Sequence, residues 1–181
     1  MRKLALAAAM LATGGASAAQ MAVTSPDIKP GARIADEQVA NGFGCSGGNV
    51  SPALSWSGAP KGTKSFAVSL YDPDAPTGGG FWHWVMFDIP ANVTSLPKNA
   101  GDAKALLAPA GAIQGNNDAG SPGYFGPCPP RGDKPHHYRF QVLAVDLDKL
   151  GPEASASPEA VASDLRAHTL ATATLIGIWG R

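Results

Sequence analysis

The chain has 181 residues, and its 14 Lys or Arg residues balance its 14 Asp or Glu residues, so the formal net charge is zero. Without a basic stripe, the sequence argues against a nucleic-acid-binding protein, because such proteins neutralise phosphates with clustered Lys and Arg. The length is enough for one domain with a sizeable hydrophobic core and leaves little room for a second.

The first eighteen residues have the order of a secretory signal. Two basic residues precede an apolar stretch at 4–11, and small residues follow up to Ala18. This order predicts cleavage after Ala18, and the apolar stretch is shorter than the roughly 20 residues that cross a bilayer. We therefore predict a signal peptide at 1–18, one mature domain at 19–181 without a transmembrane segment, and a periplasmic or secreted location.

The two cysteines, Cys45 and Cys128, leave one possible intramolecular pair. Disulfides persist in exported proteins, so we predict a bridge between them. The alternative is two free, buried thiols. If the bridge forms without strain it closes a long loop, and its loss should cost about 2–5 kcal/mol.

Turn-forming residues are spread along the whole chain. Its 22 Gly and 16 Pro residues occur in scattered clusters, which favours many short strands joined by irregular loops and a mainly β fold. The opening stretch at 19–34 is interpreted as either a first hairpin or a loose arm.

Two segments in the middle of the chain have the pattern of buried strands. At 65–72, alternate residues form an apolar face that ends in Asp72. At 81–89, both faces are largely apolar, as in a strand covered on both sides. There the alternation places His83 in line with Val85, Phe87 and Ile89.

The segment at 136–145 alternates more clearly. We predict an inward face formed by His136, Tyr138, Phe140, Val142 and Ala144, and an outward face that includes His137, Arg139 and Gln141. A helix should follow from Pro158 to about His168, with Ser157 as its N-cap. A last strand is predicted at about 171–179.

Three of these strands each place one ionisable residue on an apolar face: Asp72, His83 and His136. The Tyr138 hydroxyl lies beside the last of them. Burying such groups unpaired is costly, so we expect them to converge and to line a shallow pocket at the edge of the core. Two loops rich in Gly and Pro, at 72–80 and 120–134, should flank it. Taken singly, each histidine could instead be a hydrogen-bonded core residue.

Several separated motifs resemble one known family, in that family's order and spacing. They lie at 48–56, 71–77, 82–84, 123–130 and 136–138. From about Phe43 to Arg181 the chain is similar to the phosphatidylethanolamine-binding proteins, in their bacterial Raf kinase inhibitor-like branch. The resemblance implies a mainly β fold in which a large antiparallel sheet packs on a smaller one, with a few short peripheral helices.

The resemblance also implies a binding pocket for phosphate-like and carboxylate anions. By motif, its side-chain wall is assigned to Asp72, His83, His136 and Tyr138, and its loop side to the backbone of Gly126, Pro127 and Cys128 together with Pro130. We expect no catalytic machinery, no cofactor and no bound metal.

Two positions depart from the family's pattern. His137 stands where the family usually has Arg, and the alternation places it outside the pocket. The family often closes the pocket with an aromatic residue from the C-terminal segment, for which Trp179 is the nearest candidate.

The pocket should respond to pH. A carboxylate favours the charged form of a neighbouring imidazole, and a protonated imidazole donates to an oxyanion. Because His83 and His136 share the inferred pocket, we predict that anion binding strengthens as the pH falls from neutral to about 5.5.

Two other sites fit the sequence less well. Residues 44–48 match the nucleophile elbow of serine hydrolases, but that motif needs a helix after it, and Pro52 follows closely. Asp72, Asp74, His83 and His136 could hold a metal, although their spacing matches no metal motif.

Three function classes therefore stand in order of preference. The first is a binding or inhibitor protein that captures a phosphate, a phosphorylated head group or a protein partner. The second is a hydrolase of esters or phosphoesters, for which the sequence offers no activated nucleophile. The third is a host-interaction protein with a vestigial pocket. A two-fold homodimer is the default form if the protein associates with itself.

Overall fold

The computed structural model describes residues 20–181, and the predicted signal peptide lies outside this range. None of the helices found within 20–181 is long and apolar enough to cross a membrane.

Ten strands and one helix occur in the described range. In chain order they are β1 (Ala22–Thr24), β2 (Asn41–Gly42), β3 (Cys45–Ser46), β4 (Leu54–Ser57), β5 (Ser65–Asp72), β6 (Phe81–Pro90), β7 (Ser95–Leu96), β8 (Ile113–Gln114), β9 (His136–Val145), α1 (Pro158–His168) and β10 (Thr169–Trp179).

The strands form a large antiparallel sheet, a smaller one and a short hairpin. The large sheet has the order β10-β9-β5-β6-β8, the smaller has the order β1-β4-β7, and β2 pairs with β3. This confirms the mainly β fold with two sheets of unequal size. Where the resemblance implied a few helices, the described residues contain α1 alone.

The hydrophobic core lies on both faces of the large sheet. On one face, Trp56 of β4 packs edge-on against Phe66 of β5 with ring centroids 5.4 Å apart, and residues of both sheets share one buried cluster. On the other face, Val161 and Leu165 of α1 join a second buried cluster with Phe87. Both faces of β6 are therefore covered, as its apolar composition predicts.

The opening segment is neither a separate hairpin nor a loose arm. Strand β1 pairs with β4, with Val23 opposite Trp56. Farther along, the backbone N–H of Ile34 donates to the carbonyl of Ile178 in β10 at 2.8 Å, and Ile34 is buried. The partners of this segment are distant in sequence, so its local pattern could not reveal them.

His83 occupies a β-bulge in β6, which corrects its predicted alignment. Leu70 pairs with Trp84 and Tyr71 pairs with Trp82, so His83 has no partner in β5. A bulge exchanges the faces of the residues on either side of it. His83 therefore lies on the face of Asp72 and Tyr138, whereas Val85 lies on the face covered by α1.

The predicted helix is confirmed in detail. The Ser157 hydroxyl accepts the backbone N–H of Ala160 at 3.2 Å, Pro158 is the first helical residue, and the helix ends at His168. This is the N-cap geometry expected from the sequence. Strand β10 begins directly after it, two residues before the predicted start.

Cys45 and Cys128 form a disulfide, as predicted. The bridge joins residues 83 positions apart and fastens β3 to the loop that precedes β9. It thereby fixes the β2–β3 hairpin beside that loop.

Candidate functional site

A cleft of about 370 Å³ opens at one end of the large sheet. Asp72 ends β5, Phe81 begins β6 opposite it, and His136 begins β9. Because these strands are antiparallel neighbours, the end of β5 meets the starts of the other two. Five of the eight predicted binding residues line the cleft: Asp72, His83, Cys128, Pro130 and His136.

A buried carboxylate and imidazole form the floor of the cleft. Nδ1 of His136 donates to the Asp72 carboxylate at 2.7 Å, and the two residues are 3% and 2% exposed. The backbone N–H of Asp74 donates to the other Asp72 oxygen at 2.9 Å. Burial acts to raise the pKa of Asp72, but the interactions with His83 and His136 and the Asp74 bond outweigh it and lower that pKa. Asp72 is therefore ionised at neutral pH.

His83 directs one ring nitrogen towards Asp72. Its Nδ1 lies 2.9 Å from the carbonyl oxygen of Phe125, and the Phe125 N–H donates to the His83 carbonyl at 2.8 Å. A carbonyl oxygen can only accept, so Nδ1 carries a proton. Nε2 lies 3.9 Å from the Asp72 carboxylate and becomes a second donor when the ring is protonated.

Tyr138, which was assigned to the side-chain wall, is not among the residues that line the cleft and lies behind them. It is 0% exposed, and its ring centroid lies 5.3 Å from that of His83 and 6.3 Å from that of His136. Burial raises the pKa of the Tyr138 phenol, and the charge of Asp72 adds to this effect. Within the described residues its hydroxyl has no hydrogen-bond partner. Tyr138 is thus a neutral phenol that supports both imidazoles.

The loop side of the cleft contains fewer of the predicted residues, because Gly126 and Pro127 do not line it. The Gly126 N–H donates to the side chain of Asn49 at 2.8 Å, and the Pro127 carbonyl accepts the Ala40 N–H at 3.1 Å. These two residues hold the loop on the segment at 38–49 instead of facing the cleft. Asn49 is a positioning residue that the sequence reasoning missed.

Aromatic side chains form a wall of the cleft that sequence reasoning also missed. The Phe125 ring stacks on His83 with an angle of 9° and centroids 5.8 Å apart. The Phe43 ring meets Phe125 edge-on at 5.4 Å, and Phe81 lies 4.7 Å from His83. Phe43 lies in the β2–β3 hairpin. Contacts between residues that are distant in sequence bring this hairpin to the cleft, so local sequence patterns do not reveal it.

His137 points away from the cleft, as predicted. Its backbone N–H and its Nδ1 lie 2.7 and 2.9 Å from one carboxylate oxygen of Asp74. Asp74 belongs to the 72–80 loop, so this contact fastens that loop to β9.

Trp179, the nearest candidate for an aromatic residue that closes the cleft, is not among the residues that line it. It is buried outside the cleft, and the guanidinium of Arg33 lies 5.5 Å from the centre of its ring.

Ser46 of the elbow-like pattern also lies outside the cleft, in a hairpin strand that no helix follows. Within 20–181, no group of three or more His, Cys, Asp or Glu side chains is arranged to hold a metal ion.

Comparison with known proteins identifies relatives of this chain by sequence and by fold. Residues 24–180 match the family described as phosphatidylethanolamine-binding protein. YbcL of Escherichia coli K12 is 50% identical over 167 residues, which cover 92% of this chain and 91% of YbcL. The crystal structure of E. coli YbcL superposes with a TM-score of 0.88 over 90% of this chain and 99% of that one.

Two further relatives extend the comparison. YbhB of E. coli K12 is 40% identical over 159 residues, which cover 88% of this chain and 99% of YbhB. LppC of Mycobacterium tuberculosis H37Rv, which is named as a lipoprotein, is 38% identical over 137 residues, covering 75% of this chain and 61% of LppC.

Proposed function

Because the chain belongs to the phosphatidylethanolamine-binding protein family, we propose that its cleft binds a small oxyanion such as phosphate or a phosphorylated head group. The observation that carries this proposal is the pair of imidazoles on one buried carboxylate. His136 contacts Asp72 at 2.7 Å and His83 lies 3.9 Å from it, all at the floor of an open cleft.

The charge balance of this group favours an anion. With Asp72 ionised, one protonated imidazole makes the group neutral, and a second leaves one positive charge in excess. A second carboxylate, Asp133, lies 3.5 Å from Nε2 of His136, but its side chain is 38% exposed, so solvent screens its charge more than that of the buried Asp72. In a partly desolvated cleft an excess charge is costly, and a bound oxyanion compensates it while accepting hydrogen bonds. Anion binding is then coupled to proton uptake.

The cleft is proposed to bind without catalysing a reaction. The Cys128 sulfur is held in the disulfide, and the Thr77 hydroxyl donates to the carbonyl of Gly80. Of the side chains described around the cleft, these give no hydroxyl or thiol activated by an imidazole, which nucleophilic catalysis requires.

The protein is proposed to act outside the cytoplasm. The signal-like order of residues 1–18, the disulfide and the lipoprotein name of the relative LppC support this location.

Titration with inorganic phosphate and O-phosphorylethanolamine tests the binding function. The histidine ring signals of the mature protein are followed by NMR near pH 6, where imidazole protonation is sensitive to its surroundings. We expect saturable shifts of the His83 and His136 signals, and we expect the remaining His83 shift to disappear in His136→Gln. His168→Gln is the matched control, because His168 also pairs with a carboxylate, Asp146, but lies outside the cleft. A folded protein without shifts at millimolar ligand would rule the function out.

A further inference from the structure

The cleft is polar at its floor and apolar along its outer walls. Asp72, His83 and His136 form the floor, and the outer walls include Phe43, Phe81, Phe125, Pro76, Pro129 and Pro130. Its volume of about 370 Å³ is within the range of sites that hold organic ligands, roughly 300–1,000 Å³, and a bare oxyanion would leave most of it empty. A ligand that fills the cleft therefore has an apolar body next to its anionic group.

Phe43 occupies an unfavourable backbone conformation, and burial in the core does not compensate for it. Phe43 and Gly44 form the two-residue turn between β2 and β3, with φ angles of 51° and 79°. Such turns favour Asn or Asp followed by Gly, because other side chains seldom adopt positive φ. Phe43 is also 76% exposed, so core burial does not compensate for the strain. Strained residues of this kind concentrate at functional sites.

The hairpin that carries Phe43 is fixed at the mouth of the cleft. The Cys45–Cys128 disulfide ties it to the opposite loop. The Arg181 guanidinium donates to the carbonyls of Phe43, Gly44 and Pro129 at 3.3, 2.6 and 2.7 Å, so it joins the hairpin and the loop a second time. The backbone that carries the Phe43 ring is therefore held in place, and a ligand does not lose affinity by ordering the hairpin.

The rings of the wall lead from the rim to the floor. Phe43 contacts Phe125 edge-on at 5.4 Å, and Phe125 stacks on His83 at 5.8 Å. We propose that the cleft selects oxyanions that carry an aromatic group, such as aryl phosphates, with Phe43 as the residue that determines this specificity. The proposal rests on the oxyanion function above and names its ligand class. The anionic group meets the imidazoles, and the ring lies against Phe43, Phe125 and the prolines.

A phosphorylated amine is the competing ligand, because an ammonium group can also lie against aromatic rings. The carboxylate that could pair with it at the wall is Asp118, which accepts the backbone N–H of Trp82 at 2.7 Å and retains further acceptor sites, so the titration below includes this ligand. An aromatic group of a ligand can pack against the wall in the edge-on and stacked geometries that the wall residues already adopt, and such contacts increase the affinity.

Calorimetric titration at about pH 6 with phenyl phosphate, inorganic phosphate and O-phosphorylethanolamine tests the inference. We expect phenyl phosphate to bind the wild type about five- to tenfold more tightly than the other two ligands, the gain of a favourable aromatic contact. In Phe43→Asn, which suits the turn, this preference should fall to less than about twofold. Leu106→Asn is the matched control, because Leu106 has a φ of 53° and is 88% exposed but lies outside the cleft.

Three results would overturn the inference: equal affinity for phenyl phosphate and inorganic phosphate, tighter binding of O-phosphorylethanolamine, or an aryl preference that survives in Phe43→Asn. If phosphate still binds through His136 in these cases, the oxyanion function stands and the aryl specificity alone fails. If none of the three ligands binds, both fail together.

Discussion

His136 and Asp72 are joined by a hydrogen bond of 2.7 Å between two almost completely buried side chains. Because the folded-state pKa of Asp72 is lowered, the ionised carboxylate stabilises the fold. This stabilisation is present above the carboxyl's ordinary pKa of 3.8 and is lost as the pH falls through the lowered value. We expect Asp72→Asn to destabilise the protein at neutral pH by about 1–3 kcal/mol. Urea unfolding at several pH values should show the difference shrinking towards acid, and a pH-independent difference would contradict this.

Anion affinity should rise between about pH 7.5 and 5.5, where histidines become charged while Asp72 stays ionised. One coupled proton gives at most about a tenfold gain per pH unit. Sulfate is a suitable probe, because its own charge is constant over this range. Calorimetry should show the increase in the wild type and a flatter profile in His136→Gln. Equal affinity at both pH values would argue against coupled protonation.

Removal of the disulfide should destabilise the protein. The bridge closes a loop of 83 positions, and replacing Cys45 and Cys128 together by Ser should cost about 2–5 kcal/mol. Thermal unfolding measures the loss. Reductant should lower the wild-type midpoint to near that of the double variant and leave the variant itself unchanged. If reductant has no effect on either, the bridge does not contribute to stability.

The strained turn gives a prediction of opposite sign. Phe43→Asn should stabilise the protein by up to about 1 kcal/mol, because Asn tolerates the positive φ of this position. Denaturant unfolding under oxidising conditions is the measurement. A loss of stability would mean that the Phe43 ring contributes more through its contact with Phe125 than its backbone costs.

Asp88 is a buried acid outside the cleft. Burial raises its pKa despite the hydrogen bond of 2.9 Å from the Leu150 N–H, so the ionised form is unfavourable in the fold. A raised folded-state pKa contributes stability at low pH that is lost as the pH rises through it. Asp88→Asn keeps the acceptor and should therefore be more stable than the wild type at neutral pH. Melting curves at neutral and acid pH should show the advantage disappearing in acid.

Local patterns in the sequence were sufficient where structure is determined locally. The alternation along β9 placed His136 and Tyr138 on the inward face, and Ser157 with Pro158 marked the start of α1. The two cysteines fixed the disulfide because no other pair exists within the chain. Each of these inferences needs only the spacing or the number of residues.

Predictions failed where structure depends on distant partners. The bulge at His83 appears only when β6 is paired with β5, so alternation alone put this residue on the face of Val85. Gly126 was assigned to the cleft, but its N–H is taken by Asn49, which lies 77 positions away. The burial depth of a side chain was the other limit. Alternation along a strand shows which face of the sheet carries Tyr138, but it does not show that the side chain lies behind the imidazoles.

The bulge also affects how this cleft could be transferred to another protein. His83 faces Asp72 because β6 has one residue more than β5 between the flanking pairs. Deletion of Trp82 alone would pair His83 with Tyr71, and the imidazole would then lie on the face covered by α1 and away from the carboxylate. A graft onto a regular sheet would meet the same problem. The chemistry of the floor is thus encoded by chain length as well as by composition, and a substitution scan that keeps the length constant would not detect it.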